Sequence, residues 1–291
     1  MIDFTNAIEQ FNNYKGSEKK KTLIYNNKKY LVKFPDPVRE KNKNISYINN
    51  AYSEYIGSNI FKIIGFKTQN TLLGIYKYKE KDKIVCACED FTADGSILYD
   101  FCSIKNTIID SEHEGNGTEL GDLLETIEKQ QFVNPDLLLE HFWNVFIVDT
   151  LLGNFDRHNG NWGFLYCPSD NHSRIAPVFD CGSCLLPQAD VKVMEKVLCD
   201  ENEMNSRIYR FPTSAIHLNG KKINYYDFLC SDTDKDCNKA LDRMLKRIDL
   251  NKINQFIDRT EYTSDIQKEF YKCYISNRYN KILISAYNTI K

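Results

Sequence analysis

The chain has 291 residues, 42 % of them apolar and 27 % charged, which is too apolar for a disordered segment and long enough for one large domain or two lobes sharing a cleft. A net charge of −2 gives no general attraction to nucleic acid or to a membrane surface. No run approaches the roughly 18 consecutive apolar residues of a membrane span, and the opening MIDFTNAIEQ lacks the charged-then-apolar pattern of a secretory leader.

The expected location is therefore the cytoplasm, where the 10 cysteines stay reduced. Cys181-Gly-Ser-Cys184 has redox or zinc spacing, but it has neither a second such pair nor a nearby His pair to complete a metal site.

In chain order, residues 4–11 read as a helix, followed by a turn at Lys15-Gly16-Ser17. Residues 22–25 and 30–34 are β-rich runs joined by Asn26-Asn-Lys-Lys29, a hairpin signal, and Pro35 ends the second run. The basic run Lys19-Lys20-Lys21, with Lys28, Lys29 and Lys33, is expected to be mostly solvated. Residues 46–64 carry apolar side chains at three- and four-residue steps, which predicts a helix, with Gly65 at its C-terminal cap. Residues 68–78 and 83–87 are further strands, so residues 1–90 form a small, mostly antiparallel lobe.

Residues 91–291 are expected to be a larger helical lobe. Residues 105–120 read as a polar loop. Asn134-Pro135 opens a helix over residues 136–152 that is apolar nearly all round and hence buried. Ser264-Asp-Ile-Gln267 has the capping-box pattern and opens a last helix reaching residue 287. The tail 191–239 carries no mechanism and reads as scaffold or partner surface.

The chemistry concentrates in Leu151-Leu-Gly-Asn-Phe-Asp-Arg-His-Asn-Gly-Asn-Trp-Gly163 and Ala176-Pro-Val-Phe-Asp-Cys-Gly182. Phosphoryl transfer needs a carboxylate to orient the attacking hydroxyl and hard oxygen ligands to hold a metal on the phosphates. Asp156 and Asn161 stand at the spacing of a kinase catalytic loop, and Asp180 follows in an apolar run ahead of Gly182. Taken alone, the first segment is also an ordinary surface turn; the later Asp-x-Gly and the buried helix that delivers the loop favour the catalytic reading. Lys33, inside a strand, is placed to reach nucleotide phosphates, with Glu54 of the following helix as its ion-pair partner. Gly16 and Ser17 occupy the place of a phosphate-covering loop. Glu89, Asp90 and Phe91 stand at the lobe junction, where they either read the adenine edge with backbone groups or form an ordinary linker. His158 belongs to the motif as a loop-ordering residue, and Arg157 either contacts a phosphate or pairs with an acidic neighbour.

The segments KGSEKKKTLIYNNKKYLVKFP, YSEYIG, LLGNFDRHNGNWGFL and APVFDCGSCL together resemble the HipA-like serine/threonine kinases, in the short form without an extra N-terminal domain. The resemblance covers residues 14–186 in motifs. It implies an α+β, bilobal protein-kinase-like fold, a β-rich N-lobe and a helical C-lobe, and ATP and Mg2+ as cofactors. It further implies Asp156 as catalytic base, Asn161 and Asp180 as Mg2+ ligands, and Lys33 on the α- and β-phosphates; Gly16, Ser17, Glu54, Glu89, Phe91 and His158 complete the ATP-binding set. Ser17 matches the serine that several members phosphorylate in themselves. The partners implied are a protein substrate, such as an aminoacyl-tRNA synthetase or another translation protein, and an antitoxin. Phosphatidylinositol-type lipid kinases share the distant fold, and a kinase-fold binding or repressor module without turnover is the non-enzymatic alternative.

Overall fold

The computed structural model describes residues 2–11, 20–35, 47–78, 80–109 and 115–290. Its small lobe is one antiparallel sheet of β1 (Ile8–Gln10), β2 (Lys20–Tyr25), β3 (Lys28–Lys33), β4 (Thr71–Tyr78) and β5 (Lys81–Glu89), in the order β1-β2-β3-β5-β4. Asn26 and Asn27 turn β2 into β3 with φ of 48° and 61°, the left-handed pair that a two-residue hairpin turn demands and Asn tolerates. Helix α1 (Asn50–Ile64) packs on β4 and β5 and stops at Gly65, whose φ is 103°. It begins four residues later than its period predicts.

The helix expected over residues 4–11 does not form. The Phe4 N–H donates to Ile75 O, and the Ile75 N–H donates to Ile2 O, along the outer edge of β4. Ile8–Gln10 then pair with β2 at the opposite edge. One short segment thus covers both edges of the sheet, which would otherwise present unpaired backbone groups. Phe4 plugs the closed end, fully buried beside Leu23, Val32 and Val85. Local helical period loses here to long-range pairing, and Ile8 and Phe11 stay exposed. The lysines are also less solvated than expected: Lys28 is exposed, but Lys20, Lys21 and Lys29 are half-buried and Lys33 is buried.

In the large lobe β6 (Ile97–Asp100) runs into α2 (Phe101–Ile108), where Asp100 caps the first turn by accepting from the Ser103 N–H. This helix takes the first part of the stretch expected to be loop. After α3 (Leu120–Lys129) comes α4 (Pro135–Leu152), capped by the Asn134 side chain, which accepts from the Leu137 N–H. β7 (Gly163–Cys167) and β8 (His172–Ile175) join β6 in a three-stranded antiparallel sheet. The remainder is α5 (Val191–Cys199), α6 (Glu201–Tyr209), a hairpin of β9 (His217–Leu218) and β10 (Lys221–Lys222), then α7 (Tyr225–Cys230), α8 (Lys235–Leu245), α9 (Leu250–Arg259) and α10 (Asp265–Arg278). The Ser264 capping box is present, but the last helix passes through a π-helical segment, Tyr279–Ile284, before α11 (Ser285–Thr289).

α4 is the axis of this lobe. Trp143, Ile147, Val148, Leu151 and Leu152 are fully buried among α3, α8 and α10, and each such side chain contributes about 1.5–3 kcal/mol. All ten cysteines are free thiols. Among the described residues no helix is long and apolar enough to cross a membrane.

Candidate active site

The end of α4 sets the position of the candidate catalytic loop, residues 154–161. Gly153 closes the helix at φ 63°, and a Cβ there would lie 2.2 Å from the Tyr274 hydroxyl oxygen, so only glycine turns the chain at this point. Asn154, buried, holds the next turn: its Nδ2 donates to Asp149 Oδ1 (2.8 Å), and its Oδ1 accepts from the Asp156 N–H (3.1 Å). The Tyr225 hydroxyl donates to Asn154 O. Asp156 emerges half-buried from this frame. Asn161 Nδ2 donates back to Asp156 O (2.8 Å), which leaves its Oδ1 as the atom free to face a metal. His158 is exposed, and its Nδ1 accepts from the Gly160 N–H (3.0 Å), ordering the loop.

Arg157 ties this loop to the segment carrying Asp180. Its Nε and Nη2 donate to the two oxygens of Asp149, and its Nη1 donates to Asn161 O (3.1 Å), Phe179 O (2.5 Å) and Asp180 O (3.4 Å). Every contact is inside the protein, so of the two roles open to Arg157 the structure takes the ion pair.

From the small lobe, Lys33 Nζ lies 2.6 Å from Glu54 Oε2 and 2.7 Å from Asp180 Oδ1. Glu54 is fully buried, and its Oε1 accepts from the Cys181 N–H (2.9 Å). One glutamate therefore joins the strand lysine to the loop that follows Asp180. Asp180 itself sits at φ 55°, a left-handed conformation uncommon for a non-glycine residue and frequent at functional sites.

The two carboxylates are driven apart. Burial raises the Asp156 pKa above its ordinary value, with Asp180 adding to the rise against the opposing charges of His158, Lys222 and Arg157. Burial also acts on Asp180, but Lys33 and then Arg157 outweigh it and hold that carboxyl below the usual range. Such a divergence gives one carboxylate suited to take a proton and one that stays anionic.

At the lobe junction, the Glu89 N–H donates to Asn70 O, the Asp90 N–H donates to Lys29 O, and Gln69 Nε2 donates to Glu89 O. The Glu89 carboxylate accepts from Lys28 Nζ (2.8 Å). These groups are committed to the sheet, which leaves the backbone of Phe91 as the freer one. The Phe91 ring meets that of Phe179, next to Asp180, at 5.6 Å. Gly16 and Ser17 lie outside the described residues. Behind the catalytic loop, a cavity of about 30 Å³ lined by His141, Asp149, Arg157 and Tyr225 has room for water and not for a nucleotide.

The model of the HipA-like C-terminal domain matches residues 14–252. The chain belongs to this family. It is 49 % identical over 291 residues, 98 % of this chain and 87 % of the other, to the serine/threonine-protein kinase CtkA of Helicobacter pylori. The crystal structure of a Helicobacter pylori proinflammatory kinase CtkA superimposes with a TM-score of 0.87 at 46 % identity, covering 99 % of this chain and 98 % of that one. HipA of Shewanella oneidensis, from a toxin–antitoxin complex with HipB and operator DNA, shares the fold at a TM-score of 0.60 and 16 % identity, over 95 % of this chain and 67 % of that one. The expected α+β, bilobal kinase-like fold is thereby borne out.

Reading this family member from its sequence missed Asp149, Asn154 and Tyr225. Asp149 left a signal: a carboxylate directly after the apolar run Val145–Val148 of a buried helix must be paired with a cation, and Arg157 is the guanidinium that follows. Tyr225 left none, because its hydroxyl reaches Asn154 across 71 residues of chain. The Cys181–Cys184 pair is buried, and among the described residues no cluster of three or more His, Cys, Asp or Glu side chains has the form of a metal site.

Proposed function

We propose that this cleft transfers the γ-phosphoryl group of ATP, with Mg2+, to serine or threonine hydroxyls of proteins. The chain is a serine/threonine-protein kinase by its 49 % identity to one over nearly its whole length. The observation that carries the ATP-dependent reading is Lys33 held between Glu54 and Asp180, with the Asp156–Asn161 loop fixed to the same segment through Arg157.

In this reading Asp156 accepts a hydrogen bond from the acceptor hydroxyl and takes its proton as the oxygen attacks phosphorus in line. Lys33 sets its positive charge against the nucleotide phosphates. Asp180 and Asn161 hold the metal: one carboxylate and one amide oxygen are hard donors, and Mg2+ is commonly held by one or two protein ligands with water and phosphate completing its shell. When bound, Mg2+ supplies charge neutralisation on the transferring phosphate. Phe91 is the backbone that meets adenine. Residues 1–90 act as the N-lobe and 91–291 as the C-lobe.

Three finer features belong to the same reading. Ser17 is the candidate for self-phosphorylation. A toxin-like role with an antitoxin partner is supported by the likeness to the family's toxin–antitoxin member, and an aminoacyl-tRNA synthetase is one candidate substrate. The net charge of −2 supports action without direct nucleic-acid contact, and the proposed place of action is the cytoplasm.

The test is incubation with labelled ATP and Mg2+, wild type beside Asp156→Asn, followed by mass spectrometry. Phosphate on Ser17 or on another protein hydroxyl in the wild type alone is the expected result. Transfer to phosphatidylinositol alone would move the enzyme to the lipid kinases, and no transfer at all would leave a binding module.

A further inference from the structure

The hairpin β9–β10 lies on the Asp156 side of the cleft. Just ahead of it, the Phe211 ring packs on that of Phe155 (5.4 Å), the neighbour of Asp156. Pro212 reaches Gly153, where an added Cβ would lie 2.8 Å from its Cγ. Just after the hairpin, the Tyr225 hydroxyl donates to Asn154 O. Both ends of residues 211–225 are thus fastened to Gly153, Asn154 and Phe155, the residues just ahead of Asp156.

The hairpin itself is braced. Both oxygens of Glu119 accept from its turn, from the Asn219 N–H (2.6 Å) and the Gly220 N–H (3.1 Å). Thr118 Oγ1 donates to Ala215 O (2.7 Å), and the His217 N–H donates to Thr118 O (2.8 Å). The Ser214 N–H donates to Ile223 O (2.9 Å), closing its base. On this arm Lys221 and Lys222 are exposed, and neither has an acidic partner among the described residues. Lys222 is close enough for its charge to be felt at Asp156.

Two exposed ammonium groups on a rigid arm, that of Lys222 near the carboxylate assigned to the acceptor hydroxyl, call for an anionic partner. We infer that the hairpin is the acceptor-recognition element, through which Lys221 and Lys222 select serine or threonine segments carrying Asp or Glu close to the hydroxyl. Phe211, 40 % exposed, offers an apolar shelf along the same path. The inference rests on Asp156 being the catalytic carboxylate.

The experiment is phosphorylation of a degenerate serine-peptide library by the full chain, comparing wild type, Lys221→Glu/Lys222→Glu and the neutral Lys221→Gln/Lys222→Gln. The wild type is expected to favour Asp or Glu beside the serine by about five- to tenfold, as two exposed ion pairs allow. The glutamate variant should invert the preference toward Lys or Arg, and the glutamine variant should flatten it. Wild-type indifference to flanking charge, or a preference unchanged in the glutamate variant, would overturn the inference. A raised KM for ATP with peptide preference intact would also overturn it and assign the lysines to the nucleotide. Transfer to Ser17 but to no peptide would overturn it too, while leaving the kinase reading standing.

Discussion

Arg157 grips Asp149 with two nitrogens, Nε at 3.0 Å from Oδ2 and Nη2 at 3.2 Å from Oδ1, and the two side chains are 8 % and 2 % exposed. The remaining nitrogen, Nη1, is left to hold the carbonyls of Asn161, Phe179 and Asp180. A planar guanidinium forks in this way and an ammonium does not. The pair therefore sets the spacing between the Asp156–Asn161 loop and the segment carrying Asp180.

Arg157→Lys should keep the charge and lose the fork. The expected result is a fall in kcat of at least about tenfold, since ångström-scale misplacement of reacting groups costs up to about a hundredfold, with KM for ATP changing less. Asp149→Ala should instead unfold the protein more readily: an uncompensated buried guanidinium costs about 3–5 kcal/mol. Chemical denaturation and steady-state kinetics on both variants separate the two effects.

Lys33→Met and Glu54→Gln probe the other junction. Removing Lys33 takes away a cation aimed at developing charge, a loss of about 10²–10³ in kcat. It also leaves Glu54, fully buried, without its counter-charge. Glu54→Gln keeps the shape but weakens both the hold on Lys33 and the acceptor for the Cys181 N–H. A smaller loss is expected there, and phosphoryl-transfer rates at saturating ATP check the order.

How much of this was legible follows from the range of the interactions. Lys33, Glu54, Asp156, Asn161 and Asp180 stood out as candidates because each stands in a local pattern: a strand, a helix, a loop of fixed spacing. The α4 cap at Asn134 and the Ser264 capping box were readable for the same reason. Residues 4–11 misled because Phe4, Ala7, Ile8 and Phe11 do recur at helical steps, yet Phe4 is drawn into a barrel-like closure that no local pattern encodes. The helices between Asp190 and Arg259 each open on an Asp or Asn cap, a signal present in the sequence and passed over. The tie from Tyr225 to Asn154 and the bracing of the hairpin by Glu119 depend on tertiary contact alone.

His141 gives the protein an acid-sensitive point. Burial, with the Arg157 charge nearby, lowers its pKa from 6.5 to about 4, so it stays neutral in the folded chain where the unfolded chain would protonate. The unfolded state then binds more protons, and stability is full above the unfolded value and lost as pH falls from about 6.5 toward about 4. At most about 3 kcal/mol is at stake, at 1.36 kcal/mol per pH unit. Denaturant midpoints measured across that window should fall in the wild type and fall less in His141→Gln.

Asp156→Asn is expected to separate activity from stability. In the base role proposed for it, Asp156 should account for about 10²–10⁴ in rate, and the acid limb of the kcat/KM profile in the wild type should lie above the ordinary aspartate value of 3.8, because burial raises this carboxyl. The same raised pKa means that the unfolded chain surrenders the proton first. At pH above the folded value the charged carboxylate favours unfolding, and the cost vanishes below the unfolded value. Replacing it by a neutral isostere of similar shape should therefore raise the melting temperature at pH 7 while transfer is lost. A variant that lost both activity and stability would show Asp156 to be part of the structural frame, since a desolvated base kept for chemistry should cost the fold something to hold.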